Sequence, residues 1–155
     1  MPYDTTLIPH MTINDNAKAA IDFYKKAFGA EEIARHDAED GKRLMHAHLK
    51  VNGHDLFLMD AFPEHGTPIT SPSGIMIALR VDDPDKWWGR AVKAGATVGM
   101  PLDDQFWGDR WGMLKDPFGH QWSIATTKKF LTEAEIKEAA KQAFSGEMCG
   151  ESVPA

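Results

Sequence analysis

The chain carries an internal repeat, and that repeat limits its folding choices more than any other feature. A hairpin signal, Asn52-Gly53, precedes a strand-like stretch at 54–60, and the turn Asp116-Pro117-Phe118-Gly119 precedes another at 120–126. Gly53 and Gly119 stand 66 positions apart. The text Lys26-Ala27-Phe28-Gly29-Ala30 is answered by Lys93-Ala94-Gly95-Ala96 at nearly the same offset. A chain repeated at this spacing builds one supersecondary unit twice and buries the two copies against each other.

The unit reads as βαβββ. In the first copy, a strand at 7–14 leads into a helix at 16–28, where Ala17, Ile21, Tyr24 and Phe28 form one helical stripe between an Asn16 N-cap and a Gly29 stop. Strands follow at 31–37, 43–51 and 54–60. In the second, a strand at 74–81 precedes a helix opened by Asp82-Asp83-Pro84 and closed by Gly95, with extended stretches from 97, at 110–115 and at 120–126. These readings predict an α+β fold: paired βαβββ repeats forming a half-open sheet cup, with an added C-terminal helix. The modules span 1–61 and 74–126, and the Pro-, Gly-, Ser- and Thr-rich stretch 62–73 reads as a linker. The C-terminal helix falls within 127–146, opened by the capping box Thr132-Glu133-Ala134-Glu135. Its stripe of Ile136, Ala140, Ala143 and Phe144 predicts docking on the body, and 147–155 reads as a disordered tail.

Partners follow from composition. The formal net charge is −6 and no dense basic block occurs, which argues against nucleic acid. The apolar runs 56–59 and 75–79 are far too short to cross a membrane. No secretory signal is visible, and the lone Cys149 excludes an intrachain disulfide framework, so a reducing cytoplasm is the expected location. A small molecule is the expected partner. Trp87 and Trp88 share one helix; one should enter the core and the other stand half exposed, which points to a homodimer.

Strand alternation predicts two faces for each sheet. Ile77, Leu79, Val81, Trp122 and Ile124 should face helices, as should Met45, Ala47, Leu49 and Val51. Leu44, His46, His48, Lys50, Met76, Ala78, Arg80, Gln121 and Ser123 then take the other side. Arg80, Gln121, Ser123, His46 and His48 are expected on one concave surface near the aromatics Phe57, Phe106, Trp107 and Trp111. A sheet dry on one face and mixed polar-aromatic on the other suits a ligand cup. Asp116-Pro117-Phe118-Gly119 reads as a structural turn closed by Asp116, and Asp109-Arg110 as an internal pair.

The paired repeat, the helix text AIDFYKKAFGAEE and the stretch GDRWGMLKDPFGHQWSIAT together resemble the glyoxalase/bleomycin-resistance/dioxygenase (vicinal oxygen chelate) superfamily, in particular its PhnB-like subgroup. The resemblance implies metal ligands, His and Glu, on the first and last strands of each repeat. Carried onto this chain at the 66-residue offset, those positions read His10, Phe57, Met76 and Ser123. One imidazole among four does not hold a divalent ion. The expectation is a binding protein without the family's metal, its cup lined by His10, Phe57, Met76, Phe106, Trp107, Trp111 and Ser123. The alternative is an enzyme: a metal-dependent lyase, isomerase or dioxygenase using a divalent metal on His10, His46 and His48, or a metal-free catalyst with His46 or His48 as general base.

Overall fold

In the computed structural model, which describes residue 3 and residues 5–145, each half of the repeat folds as βαβββ. The expected tail lies outside the described residues. The first half comprises β1 (His10–Ile13), α1 (Ala17–Phe28), β2 (Glu31–Asp37), β3 (Leu44–Val51) and β4 (His54–Asp60). The second comprises β5 (Met76–Arg80), α2 (Pro84–Ala94), β6 (Thr97–Asp104), β7 (Asp109–Lys115) and β8 (Gln121–Thr127), and α3 (Glu133–Ser145) follows. Each half makes a four-stranded sheet, ordered β1-β4-β3-β2 and β5-β8-β7-β6. The outer pairs β1·β4 and β5·β8 are parallel, and the rest are antiparallel.

Local chemistry sets the helix ends. The Asn16 side chain accepts the Ala19 N–H at 3.0 Å. Gly29 closes α1 in the left-handed region, φ 65°, where a side chain would be strained. Arg90, on α2, donates to the carbonyls of Lys26 at 2.7 Å and Lys25 at 3.1 Å. It thereby brings a cation to the negative end of α1 and fastens the two helices together.

The two halves share one core. Ile21, Tyr24 and Phe28 from α1 join Leu49 and Leu58 from the first sheet and Leu114, Trp122 and Ile124 from the second. Asp116 organises the junction. It accepts its own turn's Phe118 and His120 N–H groups, as the sequence predicted, and also the Trp122 indole at 2.9 Å and the Tyr24 hydroxyl at 2.6 Å. Burial, then the nearby Asp116 charge, hold the Tyr24 phenol well above its ordinary pKa.

Several sequence expectations change. Leu44 is fully buried and Met45 stands 58% exposed, the reverse of strict alternation. The cause is a register shift: His36 pairs with His46 while Asp37 pairs with Leu44, so Met45 is an extra residue that flips its neighbours' faces. Asp109 and Arg110 do not pair with each other, because neighbours on a strand point to opposite faces. Asp109 holds Arg80, and Arg110 holds Asp85 and Asp104. Trp87 and Trp88 are both half-buried against the core. Helix α3 has its capping box, Thr132 N–H to Glu135 and Glu135 N–H to Thr132. Yet it buries no residue, and Phe144 stands exposed with its ring edge toward Phe106. Within the expected linker, Pro63–His65 form a 3₁₀ turn.

Candidate functional site

Because both helices lie in the shared core, the second face of each sheet is turned away from it. On the first sheet that face carries His10 from β1, His46 and His48 from β3, and Phe57 from β4. The Phe57 ring is their common neighbour, with centroids 5.9 Å from His10, 4.7 Å from His46 and 5.2 Å from His48, all edge-on. His36 stacks on His46, and Tyr3 meets both His48 and Phe57. Burial lowers the His10 pKa. Burial, then repulsion from His10, His36 and His48, lowers that of His46. At neutral pH both rings are therefore uncharged acceptors or donors rather than cations.

His48 differs from its neighbours. It is buried, and its Nε2 lies 2.7 Å from Asp55 Oδ1, while Asp55 Oδ2 accepts the Thr5 hydroxyl at 3.2 Å. An ionised carboxylate only accepts, so His48 Nε2 is the donor of this bond. The His48 hydrogen bond is the first cause of an Asp55 pKa below its ordinary value. Sequence reasoning missed Asp55. The signal was available: a two-residue Asn52-Gly53 turn fixes the hairpin register, which sets His48 beside the strand that carries Asp55.

The remaining expected lining residues sit on the second sheet. Trp107 packs against Trp111 at 6.0 Å and against Phe106 at 5.0 Å. Ser123 is buried and Met76 exposed. The structure thus brings His10, His46, His48 and Phe57 together on the first sheet and Phe106, Trp107 and Trp111 together on the second, while Met76 pairs opposite Gln121, four register positions from the Trp111 end of that sheet. The Arg80 guanidinium, near the second group, is committed to Asp109 and Thr127.

The family's metal positions can now be read from pairing rather than from offset. His10 stands opposite Phe57. In the second half Met76 stands opposite Gln121, and Ala78 opposite Ser123. The 66-residue spacing therefore misplaces one partner: 47 positions separate His10 from Phe57, but 45 separate Met76 from Gln121. Neither pairing provides a carboxylate or a second imidazole, so these residues do not fit a divalent ion. Nor do His10, His46 and His48 form a set that fits one. Among the described residues no group of three His, Cys, Asp or Glu side chains is arranged to hold a metal.

Comparison with known proteins agrees with the fold. The model of the Glyoxalase/Bleomycin resistance protein/Dioxygenase superfamily matches residues 7–124. The uncharacterised protein Mb0911c of Mycobacterium bovis is 41% identical over 155 residues, covering 92% of this chain and 97% of that protein. The crystal structure of protein PA1353 from Pseudomonas aeruginosa superposes with a TM-score of 0.67 at 27% identity, covering 81% of this chain and 100% of that one. The PhnB protein from Bacillus cereus shares the fold with a TM-score of 0.60 at 16% identity, covering 79% of this chain and 100% of that one.

Proposed function

Given that the chain belongs to the glyoxalase/bleomycin-resistance/dioxygenase superfamily, we propose that it binds a small organic molecule on its open sheet faces without the family's metal. The observation that carries this reading is the Phe57 ring opposite His10, where the family's chemistry needs a ligand. Neutral imidazoles and aromatic edges suit a flat molecule held by stacking and a few hydrogen bonds. In this reading His10, Phe57 and the His46 ring form one wall and Phe106, Trp107 and Trp111 another, with Ser123 and Met76 further along the second sheet.

We propose further that the chain works as a homodimer in the reducing cytoplasm. Ile33, Ile75, Val98, Met100 and Phe130 are exposed, and no residue of α3 is fully buried within its own chain, leaving apolar surface for a second copy. Sedimentation should give twice the 17.2 kDa chain mass; a single-chain mass at micromolar concentration would refute it.

Elemental analysis and fluorescence test the binding reading together. The purified protein should hold no stoichiometric metal, and a planar aromatic ligand should quench Trp107 and Trp111. One equivalent of nickel, zinc or iron that His10→Ala releases would overturn it.

One observation favours a second reading, the buried His48–Asp55 pair. A carboxylate that fixes an imidazole tautomer makes the opposite nitrogen a competent general base. Metal-free turnover of a dicarbonyl substrate, abolished by His48→Ala and weakened by Asp55→Asn, would make the protein an enzyme with His48 as base. Absence of any such turnover would leave the binding reading alone.

A further inference from the structure

We propose that a separate cavity, at the far end of the first sheet's open face, is a binding site for a planar organic cation. This goes beyond the reading above, since none of its lining residues belongs to either wall described there. The cavity, of about 720 Å³, is bounded by Met45, Met59, Phe62, Thr67, Glu39 and Asp40, with Arg43 at its edge.

Its floor is apolar and soft. Met59 comes from the open face of β4, and Met45 is the extra residue of the β3 bulge. The bulge turns a methionine outward at a place where strict alternation would have buried it. Bulges that re-aim a side chain in this way are enriched beside binding sites. Thioethers adapt to flat ligands and pack well against aromatic rings.

The walls are fixed in advance. The segment after β4 folds back on itself: Thr67 Oγ1 accepts the Phe62 N–H at 2.9 Å, and the Phe62 carbonyl accepts the Thr67 and His65 N–H groups. A connecting linker needs no such closure. Arg43 then ties this wall to the β2–β3 loop. Its Nε donates to Asp40 at 2.7 Å, its Nη2 meets Glu64 at 2.6 Å, and its guanidinium carbon lies 4.2 Å over the Phe62 ring. The Arg43 backbone N–H and then its side chain hold the Asp40 carboxyl below its ordinary range, and the Arg43 side chain does the same for Glu64, so both are anionic at neutral pH.

The charge at the rim selects the ligand. Glu39 and Asp40 line the cavity beside the His65 ring, and Glu64 adjoins it through Arg43, so three carboxylates stand around one guanidinium, which Asp40 and Glu64 engage. A cation with a flat apolar body would place its charge at this rim and its rings over Met45 and Met59. An anion of equal size would meet net repulsion.

The test uses ethidium, a planar aromatic cation, and anilinonaphthalene sulfonate, an anion of comparable size. Ethidium should bind saturably at one site per chain and shift the methyl resonances of Met45 and Met59. Met45→Lys, at an exposed position that tolerates charge, should weaken it roughly tenfold or more. Met59→Leu should weaken it less, since shape is kept. No saturable ethidium binding would overturn the proposal, as would unchanged affinity in Met45→Lys. Equal or tighter binding of the sulfonate would overturn the charge argument. Shifts confined to Met76, Met100 and Met113 would place the ligand on the second sheet, refuting this cavity while leaving the binding reading above intact.

Discussion

Replacing Asp116 by alanine should destabilise the whole chain, not only the turn it closes. The carboxylate accepts four hydrogen bonds, two from its own turn and two from Tyr24 and Trp122. The turn N–H groups are part-buried and can find water. The Tyr24 hydroxyl and the Trp122 indole are in the core. A buried donor left without a partner costs about 1–3 kcal/mol, so two cost roughly 2–6 kcal/mol. That is a large fraction of the ~5–15 kcal/mol that holds a typical domain together. Urea unfolding followed by tryptophan fluorescence measures the loss as a fall in midpoint at constant slope. A double-mutant cycle sharpens the argument. Tyr24→Phe alone should cost about 1 kcal/mol, whereas in the Asp116→Ala background it should cost nothing or restore stability, because it removes an orphaned hydroxyl. A loss below ~1 kcal/mol for Asp116→Ala, or strict additivity with Tyr24→Phe, would show that this carboxylate does not join the halves.

Four other outcomes are expected. Gly112→Ala should cost about 1–3 kcal/mol by overpacking, because the added methyl would sit 2.6 Å from Trp88 Cζ3 and 2.8 Å from the Leu102 backbone; an unchanged melting temperature would refute it. Above pH ~10 the unfolded chain ionises Tyr24 before the folded one does, so stability falls by up to about 1.4 kcal/mol per pH unit from this group, a slope that Tyr24→Phe should remove. Because burial holds the His10 and His46 pKa values down, the stability they contribute is present above the ordinary imidazole pKa and is lost as pH falls through their folded values. Proton-titration NMR should therefore find both midpoints below ~6.5. Truncation before Thr132 should change chain stability by less than ~1 kcal/mol, since α3 buries no residue; a larger loss that depends on protein concentration would show that α3 is covered by a second copy.

How far the sequence could be read depended on the range of the interaction. Helix stripes, caps and hairpin turns act within a few residues, so the βαβββ order and the core roles of Tyr24, Phe28 and Trp122 were legible. The Leu44/Met45 reversal was not, because one inserted residue in β3 reverses side-chain parity and leaves no compositional trace. The second-half counterpart of the His10–Phe57 pair was misplaced because a constant offset assumes equal spacing in both halves: 47 positions separate His10 from Phe57 but 45 separate Met76 from Gln121, so the offset slips by two positions. The Tyr24–Asp116 bond joins residues 92 positions apart, and no local pattern announces it. Docking of α3 was met only in part, with Ile136 and Ala140 half-buried and Phe144 exposed beside Phe106, because an apolar stripe shows only that a helix can be covered, not that its own chain covers it.

The placement of both helices in a shared core has a consequence for evolvability. Residues that hold the chain together, such as Ile21, Leu58, Trp122 and Ile124, lie on one side of the sheets, while Met45, Met59, Phe57, His46 and Trp111 lie on the other. Substitutions on the open side therefore remove little buried apolar area and spend little of a marginal stability. A scaffold divided in this way can exchange one surface chemistry for another in single steps, each leaving a folded protein, with the buried His48–Asp55 pair and Ser123 among the places on that side where change carries a folding cost.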